Sequence, residues 1–328
     1  MIPAPPVALG AVLPALIVFG AGVLVLLLDL VPPRTKDHLG GVALAGIVGA
    51  LLASVWLWSQ GTEIRAFREM VLLDRYALFF HVVICYASAL AVLLSIDYLR
   101  RNGVESGEYY ALVLFSTAGM LLLASAGDLL VVFLGIELMS LSLYVLAGIF
   151  KTRLASAEAS MKYFLLGAFA TGFLLYGIAL IYGATGSTNF DRIAAAVAGR
   201  PRDTMITIGL GLLLVGFGFK ISSVPFHMWA PDVYEGAPTS VTALIATGSK
   251  AAAFAALIRV LTGALRATQP DWSVLLWAVA VVTMTAGNVI AIAQSNLKRM
   301  LAYSSIAHVG YMLVGLVAGG APGAGAVL

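Results

Sequence analysis

The chain has 328 residues, of which 61% are hydrophobic and only 11% are charged. Its mean hydropathy of +1.00 lies far outside the range of soluble globular domains and indicates a membrane protein. The 19 Lys and Arg residues are scattered in ones and twos, which excludes a clustered nucleic-acid-binding face. Because Cys85 is the single cysteine, the chain alone provides neither a disulfide framework nor a cysteine metal cluster.

Ten apolar segments of about 17 to 25 residues recur along the chain, the length that an α-helix needs to cross the hydrocarbon core of a bilayer. The first segment is expected to be a retained span, because it is too long for a signal-peptide core and lacks a convincing cleavage site. The predicted spans are Val7–Leu30, Gly41–Trp58, Tyr76–Ile96, Tyr110–Ala126, Leu129–Phe150, Tyr163–Gly183, Met205–Trp229, Val241–Leu265, Trp272–Ala293 and Met300–Ala318.

These segments are apolar on all sides, unlike the alternating strands of an outer-membrane barrel. The sequence therefore predicts an all-α, polytopic transmembrane helix bundle. Small residues recur in the sixth segment, at Gly167, Ala168, Gly172 and Gly177, and they predict close packing against neighbouring helices. Lys and Arg are divided almost evenly between alternate loops, so the positive-inside rule does not orient the chain.

The seventh segment contains a predicted discontinuity between Lys220 and Pro231. Because Pro225 cannot donate a hydrogen bond to the carbonyl of Ile221, the helix is expected to bend or break just past Lys220. Irregular backbone at membrane depth is tolerated where protein or water satisfies its polar groups. Broken helices of this kind often line transport sites.

Several charged side chains lie inside predicted spans, among them Glu137 in the fifth, Lys220 at the break and Lys250 near the centre of the eighth. A charge at mid-span costs roughly 2.5 to 3.5 kcal/mol on insertion scales, so each one indicates a function. If Glu137 pairs with Lys220, separating the pair would favour deprotonation of the lysine and pass its proton onward to Lys250. The alternative is a static buried ion pair that holds the helices in register.

Other ionisable residues fit either a functional or a structural role. Lys162 stands at the start of its predicted span, where its side chain can reach the membrane interface. His308, inside the last span, has a near-neutral reference pKa suited to relaying protons, and a hydrogen-bonded core histidine is the alternative. His227 and Asp232 flank the turn at 225–231, and we expect them to brace it rather than to transfer protons.

Five runs of the sequence carry a family resemblance: GIELMSLSLY at 135–144, EASMKYFLLG at 158–167, GFKISSVPFHMWAPDVYEGAPT at 218–239, SKAAAF at 249–254 and KRMLAYSSIAHVGY at 298–311. On these runs the chain resembles the antiporter-like subunit N family, also called subunit 2, of bacterial respiratory complex I. That complex is the proton-translocating NADH:quinone oxidoreductase.

The resemblance implies a proton-translocating, non-redox subunit that couples electron transfer in other subunits to proton pumping. It implies that Glu137, Lys162, Lys220 and Lys250 are the ionisable residues of a half-channel and that His308 lies on the central hydrophilic axis. NADH, FMN, iron–sulfur clusters and quinone are expected in other subunits, with no cofactor or metal bound by this chain. The expected partners are other complex I membrane subunits, including the M and K types, and the lipid of a bacterial inner membrane that the chain crosses many times.

The resemblance also implies a domain organisation. Residues 1–106 are expected to hold helices 1–3, residues 107–268 a first antiporter-like repeat of helices 4–8, and residues 269–328 the start of a second, inverted repeat. The second broken helix of the family, with its lysine, has no counterpart in these residues. We therefore expect the sequence to be part of a longer subunit.

Two alternative functions remain open. Subunits of multisubunit cation/proton antiporters and membrane-bound hydrogenases share the layout of buried glutamate and lysine, although the run Pro231–Thr239 favours the subunit N family. The other alternative is a passive membrane scaffold whose charges only hold helices together. Replacing Lys220 in a scaffold would lower assembly without selectively changing proton pumping.

Overall fold

The computed structural model describes residues 8–31, 36–61, 63–104, 107–200, 202–320 and 323, so the predicted start of the first span at Val7 lies outside the described residues. The α-helices are α1 (Leu13–Asp29), α2 (Asp37–Gln60), α3 (Arg75–Arg101), α4 (Gly107–Ala124), α5 (Leu129–Ala147), α6 (Leu154–Thr185), α7 (Phe190–Ala198), α8 (Thr204–Ile221), α9 (Trp229–Gly236), α10 (Thr239–Leu244), α11 (Lys250–Arg259), α12 (Gln269–Ile292) and α13 (Leu297–Ala318).

Within the described residues, ten helical stretches are long and apolar enough to cross a membrane. This number confirms the prediction of a polytopic transmembrane helix bundle with ten spans. The eighth span, Thr239–Ala264, is a composite of α10, α11 and two π-helical turns at Ile245–Ser249 and Val260–Ala264. The π-helical turns were not predicted, because they leave the apolar character of the segment unchanged.

A short antiparallel sheet was also not predicted from the sequence. Strands β1 (Ile64–Ala66) and β2 (Val71–Leu73) form a hairpin between α2 and α3. The backbone N–H of Leu72 donates to the carbonyl of Ser125 at 2.8 Å, which fixes the hairpin against the turn between α4 and α5. Each strand is only three residues long, too short for an alternating pattern to stand out in the sequence.

The helices pack as two compact units. The first contains the described residues up to Ser160 together with Ala237–Ala256, and the second contains Met161–Gly236 and the described residues from Leu257 onward. The predicted division at residues 106 and 268, and the assignment of inverted repeats, stay predictions.

In the first unit, α1 packs against α2 and α4, and α4 packs against α5. The contact between α4 and α5 is close because both helices carry a glycine there. A Cβ built on Gly119 would lie 2.5 Å from the backbone N of Met139, and one built on Gly135 would lie 3.0 Å from the backbone of Leu123. Glu137 is thus carried on a helix whose position is set by direct backbone contact.

In the second unit, the predicted role of small residues is confirmed at Gly177. A Cβ on Gly177 would lie 2.7 Å from the carbonyl O of Gly209, so α6 and α8 meet almost backbone to backbone. Gly172 of the same helix is different, because a Cβ built there would meet no atom within 4 Å. Glycine spacing alone did not distinguish the packed face of α6 from its exposed face.

Helix α6 begins earlier than the predicted span, at Leu154 instead of Tyr163. The added turns are more polar, and their serines bond to the end of α5. Ser156 donates to the carbonyl of Ala147 at 2.7 Å, and Ser160 donates to that of Tyr144 at 2.7 Å. The prediction that Lys162 stands at a helix start is therefore wrong, since it lies about two turns inside α6.

Candidate functional site

Lys220 lies in the last turn of α8 and is 2% exposed. The helix ends because Ser222 adopts a left-handed conformation, with φ of 63° and ψ of 40°. The N–H groups of Ser222 and Ser223 then donate to the carbonyls of Phe219 at 3.1 Å and Gly218 at 2.9 Å. The predicted break just past Lys220 is confirmed, since α8 ends at Ile221, four residues before Pro225. A lysine at this end of a helix is favoured by the partial negative charge of the helix terminus.

Aromatic rings surround the Lys220 ammonium. Its Nζ lies 5.3 Å from the centre of the Phe219 ring and 5.8 Å from that of Tyr163, which permits cation–π attraction. Tyr163 stacks on Trp229 with ring centres 4.4 Å apart and an interplanar angle of 9°. The Trp229 indole N–H donates to the carbonyl of Phe219 at 3.0 Å. This aromatic cluster of Tyr163, Phe219 and Trp229 joins α6, the end of α8 and the start of α9.

Residues 222–228, here called the interruption, separate α8 from α9. The interruption folds back on α8, since a Cβ built on Gly218 would lie 2.6 Å from the Phe226 ring. The buried hydroxyl-bearing residues Ser222 and Ser223 lie at its start. The interruption is also bonded to α12, because the N–H of Val224 donates to Thr283 Oγ1 at 3.1 Å.

Beyond the interruption, α9 carries two carboxylates that are paired with cations. Lys162 Nζ lies 2.6 Å from Asp232 Oδ2, and Arg299 Nη1 lies 2.7 Å from Asp232 Oδ1 and 3.0 Å from Glu235 Oε2. We call these four residues the charge network. It joins α6, α9 and α13 within the second unit. Asp232 therefore braces this region as predicted, through two ion pairs that were not predicted.

Burial alone would raise the pKa of Asp232, but hydrogen bonds from Lys162 and Arg299, together with their positive charges, outweigh it and hold the pKa below its usual value. Asp232 is therefore a carboxylate at neutral pH. His227 lies half-buried in the interruption, and its bracing role stays a prediction.

Glu137 and Lys250 belong to the first unit, whereas Lys220 belongs to the second. Glu137 is half-buried at the centre of α5. Lys250 is 5% exposed and directly follows the π-helical turn Ile245–Ser249, a distortion that is frequent at functional sites. The predicted pairing of Glu137 with Lys220 and the proton transfer to Lys250 stay predictions.

Within the described residues His308 is exposed on α13, and the alternative of a hydrogen-bonded core histidine stays a prediction. Its Nδ1 lies 2.8 Å from the carbonyl O of Ser304 in the same helix. The ring packs edge-on against Tyr311 at 5.5 Å, and the Tyr311 hydroxyl accepts a hydrogen bond from Asn288 at 2.9 Å. Polar groups of α12 and α13 thus share one exposed patch, and a role of His308 in proton relay stays a prediction.

Sequence reasoning missed four residues. Thr283, Glu235 and Arg299 contribute to this region, and Arg259 lies in α11 of the eighth span. Arg299 was counted as a loop charge, because the last span was predicted to begin at Met300. Asn296 gave a signal to the contrary, since its side chain accepts from the N–H groups of Lys298 and Arg299 and starts α13 at Leu297. Among the described residues, no three His, Cys, Asp or Glu side chains are grouped to hold a metal ion.

Comparison with known proteins assigns this architecture to a family. Residues 126–328 match the family described as NADH:quinone oxidoreductase/Mrp antiporter, transmembrane. A NADH-quinone oxidoreductase subunit N from Trichlorobacter lovleyi is 52% identical over 323 residues, which cover 98% of this chain and 66% of that protein. The chain spans 62% to 66% of the length of the curated relatives that it matches.

Solved structures agree with this assignment. A chain of respiratory complex I from Thermus thermophilus with bound aureothin aligns with a TM-score of 0.77 at 40% identity, over 92% of this chain and 64% of that one. The membrane-bound sulfane sulfur reductase, an archaeal respiratory membrane complex, aligns with a TM-score of 0.79 at 29% identity, over 94% and 64%. With its ten apolar helices and its bacterial relatives, the protein is a multi-pass bacterial inner-membrane member of the NADH:quinone oxidoreductase/Mrp antiporter transmembrane family.

Proposed function

We propose that this chain is a proton-translocating membrane subunit of an NADH:quinone oxidoreductase. The observation that carries the proposal is Lys220, an almost fully buried lysine at the point where a membrane-spanning helix is interrupted. The protonation of a buried lysine depends on the charges and dipoles around it, so a change in its surroundings can make it take up or release a proton. The names of the subunit N relatives support NADH and quinone as the source of energy.

In this proposal the proton is transferred through Glu137, Lys220 and Lys250, with Lys162 and His308 as further members of the path. The regular helix ends directly after the turn that carries Lys220. The residues that follow are held by separate hydrogen bonds and not by a continuous helix, so they can shift relative to Lys220. Asp232 serves as the counter-ion of Lys162 at 2.6 Å and makes that lysine sensitive to any movement of α9.

We further propose that the redox chemistry takes place in other subunits. NADH, FMN, iron–sulfur clusters and quinone would bind there, and this chain would contact other membrane subunits, including those of the M and K types. The test is to identify the proteins that copurify with this chain after mild detergent extraction. Flavin and iron–sulfur subunits would support the proposal, whereas cation-antiporter subunits alone would contradict it.

The second candidate function is that of a subunit in a cation/proton antiporter complex. It is favoured by the description of the family, which includes Mrp antiporters. A Mrp complex from Dietzia aligns with a TM-score of 0.80, but at 24% identity this likeness concerns the fold alone. The two functions separate in inverted membrane vesicles, because only the first drives proton uptake from NADH oxidation without a sodium or potassium gradient.

The role of Lys220 is tested by comparing Lys220→Ala with Lys151→Ala in such vesicles. Lys151 is an exposed lysine in the turn after α5, outside the spans, and serves as the matched control. Lys220→Ala is expected to reduce NADH-driven proton uptake and to slow the coupled quinone reduction, whereas Lys151→Ala is expected to leave both unchanged. Reduced assembly with normal pumping per assembled complex would instead support the passive scaffold.

A further inference from the structure

The interruption begins with buried residues, and a peptide N–H group removed from water requires a protein or water partner. The N–H groups of Ser222 and Ser223 return to the last carbonyls of α8, which are those of Phe219 and Gly218. Val224 is the next residue. Its N–H leaves this local pattern and donates to the side chain of Thr283 on α12, at 3.1 Å from Oγ1.

Thr283 lies on the buried stripe of α12, whose members recur at helical spacing: Trp272, Leu276, Ala280, Thr283 and Gly287. The other four members of this stripe carry no hydroxyl, and Thr283 itself is 0% exposed. Burying a hydroxyl among such neighbours is unfavourable unless it is hydrogen-bonded. The bond to Val224 is therefore a reason for threonine to occupy this position of the stripe.

Two other threonines in the spans of the second unit use their hydroxyl groups within their own helix. Thr285, two residues after Thr283 on the same helix α12, donates to the carbonyl of Val281 at 2.8 Å, and Thr171 donates to that of Gly167 at 2.9 Å. Such bonds within a helix are common for threonine and do not link elements. The oxygen of Thr283 instead accepts from a different element of the second unit, so it holds α12 to the interruption.

Val224 is close in the chain to the groups that set the position of Lys220. The N–H groups of Ser222 and Ser223, directly before Val224, cap the turn of α8 that carries Lys220. We infer that Thr283 is a positioning residue for Lys220, which acts by holding Val224 and through it the left-handed turn at the end of α8. This inference rests on the proposed function of Lys220 in proton transfer.

The experiment compares Thr283→Val with Thr283→Ser in the full complex in its native membrane. Valine matches the shape of threonine but removes the acceptor, whereas serine keeps the hydroxyl oxygen. The first readout is hydrogen–deuterium exchange of the backbone segment that contains Val224. We expect exchange to be about tenfold faster in Thr283→Val, because a part-buried hydrogen bond is lost, and close to wild type in Thr283→Ser.

The second readout is the number of protons taken up by inverted vesicles per NADH oxidised, measured at equal amounts of assembled complex. Thr283→Val is expected to lower this ratio severalfold, whereas Thr283→Ser is expected to keep it close to the wild-type value. A wild-type proton ratio and a wild-type exchange rate in Thr283→Val would overturn the inference. The proposed function would still stand if Lys220→Ala stops proton uptake. If Lys220→Ala also pumps normally, the proposed function itself fails; the exchange rates still report whether Thr283 holds Val224.

Discussion

Lys162 Nζ lies 2.6 Å from Asp232 Oδ2, so a lysine of a membrane-spanning helix is paired with a carboxylate on the short helix beyond the interruption. Arg299 contacts the other oxygen of the same carboxylate at 2.7 Å. A single acidic residue thus connects α6, α9 and α13. Because α9 also contains Trp229 of the aromatic cluster around Lys220, the charge network and the buried lysine are parts of one structural region.

The variant Asp232→Asn tests the stabilising role of the charge network. It replaces the charged partner of Lys162 by a neutral one and leaves Arg299 paired with Glu235 alone, and we expect the free energy of unfolding to fall by about 1–2 kcal/mol. The thermal unfolding midpoint of the purified complex in mild detergent reports the change. The matched control is Glu63→Gln, which breaks an exposed ion pair with Arg65 and is expected to have little effect. Equal midpoints in wild type and Asp232→Asn would show that the network does not stabilise the fold.

The stabilisation by Asp232 depends on pH with a definite sign. Its pKa in the folded protein is lower than the usual aspartate value of about 3.9, because Lys162 and Arg299 favour the carboxylate. The contribution is therefore complete above about pH 4 and is lost as the pH falls through the lowered pKa. Unfolding midpoints of wild type and Asp232→Asn are expected to differ at pH 7 and to converge at acidic pH. A difference that grows on acidification would contradict this sign.

Close packing between α6 and α8 predicts opposite outcomes for two glycines of one helix. Gly177→Ala would place a Cβ 2.7 Å from the carbonyl O of Gly209, so the helices must move apart at a cost of about 1–3 kcal/mol. Gly172→Ala meets no neighbour within 4 Å and is expected to be neutral or slightly stabilising, because alanine favours a helix over glycine. The yield of assembled complex and its thermal midpoint distinguish the two. Similar losses of yield and thermal midpoint in both variants would contradict the claim that packing of α6 against α8 determines the effect of the substitution.

We predict that proton uptake depends on the aromatic ring of Tyr163 and not on its hydroxyl group. Tyr163→Phe keeps the stacking on Trp229 at 4.4 Å and the face beneath the Lys220 ammonium, whereas Tyr163→Leu removes both. We expect Tyr163→Phe to behave like wild type and Tyr163→Leu to lower NADH-driven proton uptake. The measurement is the initial rate of proton uptake by inverted vesicles. A loss in Tyr163→Phe would assign the function to the hydroxyl group instead.

The spans and the break near Lys220 could be predicted from the sequence because both depend on local properties. An apolar run of sufficient length is enough to indicate a span, and Pro225 indicates that a helix does not continue. The backbone conformation that ends α8 could not be predicted from the sequence. The left-handed turn at Ser222 ends α8 before the proline, and serine is a residue that rarely adopts this conformation.

The partners of the ionisable residues could not be predicted in the same way. Arg299 and Asp232 are 67 positions apart in the chain, and their ion pair exists only because α9 packs against α13. His308 was expected on the central hydrophilic axis or in a core, and the side of α13 that it occupies is exposed among the described residues. A helix that is apolar on nearly all sides has no polar face from which its orientation follows, so only packing decides which residues are buried.

The most direct test of the central claim is the ratio of protons taken up to NADH oxidised in inverted vesicles that carry Lys220→Arg. Arginine keeps the positive charge and its attraction to the aromatic cluster, but it does not release a proton in proteins. If Lys220 transfers protons, Lys220→Arg assembles and yet loses proton uptake as completely as Lys220→Ala. A wild-type ratio in Lys220→Arg would show that only a fixed positive charge is needed there and would contradict proton transfer through this lysine.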